Sequence, residues 1–302
     1  MTLLIAAAAL AQGAAAIPAP LDASSRVTDY LRCLEAADVT LVSGHRGGPV
    51  SGFPENAIET MENTLARGPF MLEVDVRQTA DGVYVLMHDE TLERTTTGQG
   101  RLDETSWLEL KALNLVDNEG ETTPYRAPSL AEALHWAEGR ALLQLDVKAG
   151  VDIAALTRFV AASGARDRAA IIAYTVEDAL AAAGADPSIS VSVEITDRER
   201  LDTLVEGGLE TDRLMAWTGV TPEPRPELWA MLHEEDVPVA FGSLWYMDGE
   251  VAETGDASIY AELARLGVDV LSSDLHLLAY ETIEATQDGP AAVNACTAEL
   301  GG

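Results

Sequence analysis

Eight apolar runs recur along the chain, at residues 41–45, 70–76, 141–148, 169–175, 188–195, 214–220, 237–245 and 268–274. Most are apolar on both faces, which is the pattern of a strand covered on two sides rather than one open to solvent. Segments of helix-forming composition separate most of them, among them "SLAEALHWAEG", "VDIAALTRFVAAS" and "PELWAMLHEE". Several of these open after Ser, Thr or Asp and several close at Gly, as the unpaired backbone groups at helix ends require. A further short helix is expected at "TDYLRCLEA". Eight buried strands alternating with helices predict an α/β fold, a TIM (β/α)8 barrel, with an open doubly wound sheet as its rival.

Two stretches break the rhythm. "EVDVRQTADGVYVLMHD" has no room for a crossover helix, so it predicts a hairpin with Asp81-Gly82 at its tip, returning His88 to the level of Glu73 and Asp75. Residues 90–128 contain no clean barrel unit and predict a small insertion after the second strand, with one short helix near Leu108–Leu113.

Charge narrows the function classes. Lys and Arg total 19 against 50 Asp and Glu, a formal net of −31. A field of that sign repels polyanions and argues against nucleic-acid binding. The first residues, "MTLLIAAAALAQGAAAIPAP", carry an apolar run ending in small residues, the pattern of an export signal cleaved near Ala16. Residues 1–16 are therefore read as a leader and 17–302 as one barrel domain, periplasmic or secreted. The run is too short to predict stable membrane insertion. Cys33 and Cys296 are the only cysteines; in an exported chain they form one intrachain disulfide if the termini meet, and two separate thiols if they do not.

Polar residues that interrupt the apolar runs carry the chemical signal. The first strand ends in His45-Arg46, the second holds Glu73 and Asp75 on one face, and the third holds Asp146 and Lys148 on one face. Buried carboxylates require a compensating charge, and cations are scarce here. Glu73, Asp75 and Asp146 together offer an all-oxygen shell for one divalent cation, Ca²⁺ or Mg²⁺, with Mn²⁺ and Zn²⁺ left open. Arg46 and Lys148 suit a phosphate, and His45 and His88 are a pair able to give and take a proton near neutral pH. Ordinary solvated acids at a barrel edge are the plainer alternative.

With these residues in view, the sequence resembles the glycerophosphodiester phosphodiesterase family of TIM barrels. The resemblance rests on "GHRGG" (44–48), "PENA" (54–57), "EVDVRQTADGVYVLMHD" (73–89), "TLERTTTGQG" (91–100), "LQLDVK" (143–148) and "GVDVLSSD" (267–274). It implies metal-dependent hydrolysis of glycerophosphodiesters to sn-glycerol 3-phosphate and an alcohol, with His45 and His88 as catalytic histidines. Arg46 and Lys148 then bind phosphate, Glu73, Asp75 and Asp146 hold the metal, Glu55 lies at the metal or its shell, and Asn56 orients the phosphate side. Asp146 departs from the glutamate usual at its position. The segment "VAFGSLW" replaces a more usual Trp-Thr ending, so Phe241, Trp245 and Tyr246 become candidates for the alcohol side of the pocket, and otherwise pack the rim. Asp274 takes a structural role, His135 and His233 are ordinary helix residues, and His276 lies nearer the rim. The alternatives are a lysophospholipase D or sphingomyelinase D-like enzyme, and a phosphate-binding barrel without catalysis.

Overall fold

The computed structural model describes residues 25–301, so the leader expected at 1–16 lies outside the described residues. Nine strands form: β1 Leu41–Gly44, β2 Phe70–Gln78, β3 Tyr84–Leu86, β4 Leu142–Val147, β5 Ala169–Ala173, β6 Ser190–Glu194, β7 Leu214–Val220, β8 Val239–Gly242 and β9 Val270–Ser273. Every pairing is parallel except β2 with β3, and the β1–β2 and β1–β9 ladders close the sheet on itself. Eight parallel strands in a closed ring make the TIM barrel that the apolar runs predict. The open sheet is excluded.

Helices cover the ring. They are α1 Val27–Ala36, α2 Ile58–Leu65, α3 Trp107–Lys111, α4 Leu130–Ala137, α5 Ile153–Ala162 and α6 Val176–Ala185, followed by α7 Arg198–Glu206, α8 Pro226–His233, α9 Met247–Thr254, α10 Ser258–Arg265, α11 His276–Glu284 and α12 Gly289–Leu300. None is long and apolar enough to cross a membrane. Alternation along the strands decides what faces where. On β2, Leu72, Val74 and Val76 point outward into the helix layer, while Met71, Glu73 and Asp75 point inward.

The barrel interior changes character from bottom to top. Met71, Leu142, Ala170, Met215, Ala240 and Val270 form an apolar floor, and α1 caps it with Tyr30, Leu31 and Leu34. Above the floor Ser43 donates to Gln144 Oε1 at 2.8 Å. Higher still, Asp75 and Asp146 are cross-strand neighbours. Polarity therefore rises toward the strand C-termini, where barrel chemistry is sited. A disulfide joins Cys33 of α1 to Cys296 of α12, so the termini do meet.

The hairpin turns as its sequence predicts, with Gly82 at φ +83° and its N–H bonded to Thr79 O. The excursion that follows has a small core of its own, in which Leu92, Leu102, Leu110 and Leu115 pack with Val85 and Met87. That core fixes the excursion to the mouth of the barrel.

Candidate active site

At the end of β1 the backbone turns left-handed through Arg46 (φ +54°), Gly47 (+83°) and Gly48 (+79°). A β-carbon on Gly48 would lie 2.5 Å from Thr64 Oγ1 and 2.7 Å from His276 Nε2, so glycine is required by space as well as by angle. The turn aims the Arg46 N–H at Glu73 Oε2 (2.7 Å) and carries its guanidinium to Glu55 (2.9 Å). Arg46, Asn56 and Trp245 all hold left-handed backbone without being glycine, a strain that persists only where the surroundings over-determine it.

Each histidine has its own carboxylate. His45 Nδ1 lies 2.7 Å from Asp274 Oδ1, and His88 Nδ1 lies 2.7 Å from Asp89 Oδ1. A ring that donates Nδ1–H to a carboxylate keeps Nε2 for its reaction partner. Burial pulls the His45 pKa down, but the Asp274 hydrogen bond and the Glu73 charge outweigh it and the net shift is upward. Asp89 is held well below the usual carboxylate range, chiefly by hydrogen bonds from Arg94 working against burial.

Glu73, Asp75 and Asp146 are all buried, and each offers an oxygen within 4.8 Å of the others. Lys148 Nζ bridges two of them, 2.7 Å from Asp75 Oδ1 and 2.5 Å from Asp146 Oδ2, so Asp75 and Asp146 have more cationic company than composition suggests. Asp146 also receives the Tyr174 hydroxyl at 2.7 Å. Burial raises the Asp75 pKa, yet Lys148 and the Asn56 amide reverse that and hold it ionised. Glu73 makes no ion pair among the described residues; burial and then repulsion from Asp75 push it up to about 8. A buried oxygen cluster with one carboxylate lacking a cation fits a hard divalent ion.

Several expectations need correction. Glu55 does not join the oxygen cluster: its carboxylate is taken by Arg46 and by both terminal nitrogens of Arg94 at 2.8 Å. Asn56 faces a carboxylate rather than a phosphate, donating to Asp75 Oδ2 (2.6 Å) and accepting from the Asp75 N–H (2.9 Å). Phe241 packs edge-on against Trp229 in the outer core and cannot line the pocket. Asp274 is more than structural, since it pairs with His45. Trp245 stands on the rim, 69% exposed, and lines the mouth together with Trp217 and Tyr174. Tyr246 is exposed beside it. The residues missed outright are Arg94, Asp89 as a partner for His88, and Tyr174.

The other histidines stand apart. His135 is exposed on α4. His233 bonds Asp269 Oδ2 at 2.9 Å, and the Val239 N–H occupies the same oxygen at 2.6 Å. With Glu35 these two form a second group of possible ligands, but they brace the strand N-termini, far along the chain's fold from the mouth. His276 is buried beneath Gly48 with neither ring nitrogen hydrogen-bonded to a side chain, and it meets Phe70 edge-on.

Burial holds the His276 pKa down at about 4. The unfolded chain binds that proton near pH 6.5. Stability from this group is complete above about pH 6.5 and falls as pH drops toward 4, by up to about 1.4 kcal/mol per pH unit. Urea melts of wild type and His276→Gln between pH 7 and 4.5 should therefore show the stability gap narrowing with acid; a constant gap would refute it.

Two cavities of about 500 Å³ each meet at this mouth and share His45, Arg46 and Trp245. One is lined by Glu73, Asp146, Lys148 and the aromatic rim; the other lies under the excursion, beside Arg94 and Asp117. A phosphodiester centred on Arg46 would have space for a substituent on either side.

Residues 45–157 match the model of the Glycerophosphoryl diester phosphodiesterase family. The crystal structure of a Glycerophosphoryl diester phosphodiesterase from Parabacteroides distasonis superposes with a TM-score of 0.81 at 33% identity, covering 88% of this chain and 93% of that one. An Oleispira antarctica phosphodiesterase shares the fold at 20% identity and a TM-score of 0.63, over 83% of this chain and 99% of that one. Over 128 residues the chain is 34% identical to Glycerophosphodiester phosphodiesterase 1 of Mus musculus, which covers 41% of this chain and 38% of that protein. The match thus spans well under half the length of that curated relative.

Proposed function

This chain belongs to the glycerophosphoryl diester phosphodiesterase family, and on that premise we propose that it hydrolyses glycerophosphodiesters to sn-glycerol 3-phosphate and an alcohol. The observation that carries the reading is the pair of histidine–carboxylate dyads bordering one cavity that also holds Glu73, Asp146 and Lys148. The Oleispira antarctica relative was solved with sn-glycerol-3-phosphate bound, which agrees with that product.

Arg46 and Lys148 hold the anionic phosphodiester, the first with a planar fork and the second as a point charge. His45 and His88, each with Nδ1 committed to a carboxylate, present Nε2 to the reacting oxygens. One takes a proton from the attacking group, water or the substrate's neighbouring hydroxyl, and the other returns a proton to the departing oxygen; where the hydroxyl attacks, a water then opens the cyclic phosphate with the two roles exchanged. Glu73, Asp75 and Asp146 would hold a divalent cation, which when bound neutralises charge building on the phosphoryl oxygens. Asn56 clamps Asp75 from both sides, so that this acid cannot turn away from the cluster. Trp245, Trp217 and Tyr174 screen the mouth from bulk water.

The disulfide supports the view that this activity is exported, since such bonds persist in oxidising compartments. The test uses protein isolated from its native host, with intact mass reporting whether residues 1–16 have been removed. Glycerophosphocholine, glycerophosphoethanolamine and glycerophosphoinositol are assayed for release of sn-glycerol 3-phosphate, and lysophosphatidylcholine for release of lysophosphatidic acid and choline. Turnover of the water-soluble diesters well above the lysolipid is expected. Turnover of the lysolipid alone would replace this reading with a lysophospholipase D.

A further inference from the structure

The segment Thr91–Gly100 takes no part in the chemistry above, yet it sends one side chain into the network behind it. Arg94 Nε lies 2.6 Å from Asp89 Oδ2, and Nη2 lies 2.9 Å from Asp89 Oδ1. The same guanidinium meets Glu55 twice, Nη1 to Oε2 and Nη2 to Oε1, both at 2.8 Å. Glu55 Oε2 also accepts from Arg46, and Asp89 Oδ1 also meets His88. One continuous chain thus runs Arg46, Glu55, Arg94, Asp89, His88.

Two features make the link specific to an arginine. Its flat fork binds two carboxylates edge to edge, a geometry a lysine cannot supply. Its position is also built rather than incidental. Leu92, two residues earlier, is buried in the excursion's small core, its N–H bonds Gly100 O, and Thr96 Oγ1 bonds Leu92 O at 2.7 Å.

We propose that Arg94 is the positioning residue that couples the two halves of the site, fixing the tautomer of His88 through Asp89 and the aim of Arg46 through Glu55. Asp89 has both oxygens engaged by Arg94, so it cannot rotate away from His88 Nδ1. Remove the guanidinium and Asp89 gains that freedom, which lets His88 exchange which nitrogen carries its proton. Glu55, only 3% exposed, would at the same time lose two of its three charged hydrogen bonds and fall back on Arg46 alone. Arg46 would then be held by a carboxylate it now shares, and its fork would turn from phosphate. Arg94 itself touches Glu55 and Asp89 and no reacting atom.

The rate measurements for this inference rest on the phosphodiesterase reading, whereas a spectroscopic measurement does not. Arg94→Ala is expected to lower kcat about 10- to 100-fold, the scale of a small misplacement of catalytic groups, and to raise KM through Arg46. Free guanidinium at sub-denaturing concentration should recover part of the loss, and equal NaCl should not. Arg94→Lys, which keeps the charge and spares the fold, should recover little. In kcat, Asp89→Asn combined with Arg94→Ala should lose well short of the product of the two single losses, because both reach His88 through Asp89, while the arm through Glu55 and Arg46 shows in KM. Independently of turnover, ¹⁵N shifts of His88 at a pH where the ring is neutral should show a protonated Nδ1 in wild type and a mixture of tautomers in Arg94→Ala. Unchanged His88 shifts, a rate within about twofold of wild type, or fully additive losses in the double variant would each overturn the coupling. If wild type turns over no glycerophosphodiester, the proposed function fails, and the shifts still decide the role of Arg94.

Discussion

His45→Ala and His88→Ala are each expected to lower turnover about 100-fold or more while leaving the fold intact, as loss of a general acid or base does. The fold should survive because both rings sit above the strands rather than in the core. Their side chains are 18% and 34% exposed, so truncation opens no sealed cavity. The partners can also recover. The Asp274 side chain is 46% exposed and can take water in place of His45, and Asp89 keeps its two contacts with Arg94. Measuring kcat on the fastest glycerophosphodiester, beside thermal melts of each variant, checks both halves of the expectation. Near-wild-type rates in both variants would remove proton transfer by this pair from the mechanism.

The barrel was legible because its strands are buried on both faces and bounded by capped helices, so that hydropathy alone marks eight of them. The hairpin was legible from Asp81-Gly82 and from the shortness of the gap. Glu73, Asp75 and Asp146 stood out for the same reason: an acid on a buried strand is costly enough to demand an explanation. What escaped lies where the fold, rather than the pattern, makes the contact. Asp274 and His45 are 229 residues apart, and only closure of β9 on β1 brings them within hydrogen-bonding distance. Arg94 sits in a polar loop where nothing in the local sequence separates a bridging arginine from a solvated one. Asn56 meets Asp75 rather than phosphate, because its left-handed backbone turns the amide inward, a conformation the local sequence does not announce. Phe241 failed for a simpler reason: alternation along β8 places it outward, against Trp229.

Chelation should abolish turnover, and Ca²⁺, Mg²⁺ or Mn²⁺ restored singly should return it in wild type but not in Glu73→Gln. The effect depends on which acid holds a proton when no cation is bound. Burial, and after it repulsion from an Asp75 that Lys148 and Asn56 keep ionised, pushes the Glu73 pKa up to about 8. At pH 7 that carboxyl is largely protonated, and a cation must displace the proton to use the oxygen. Apparent metal affinity should therefore rise about tenfold per pH unit below about pH 8 and level off above it, with close to one proton released per ion at pH 7. Glutamine keeps the shape and one oxygen but removes that titration, so Glu73→Gln should bind weakly with little dependence on pH. Calorimetry in buffers of differing ionisation enthalpy counts the proton directly, without reference to turnover. Wild-type affinity that stays flat from pH 6 to 8.5 would mean that Glu73 is ionised before the cation arrives, and the charge balance deduced for this cluster would be wrong.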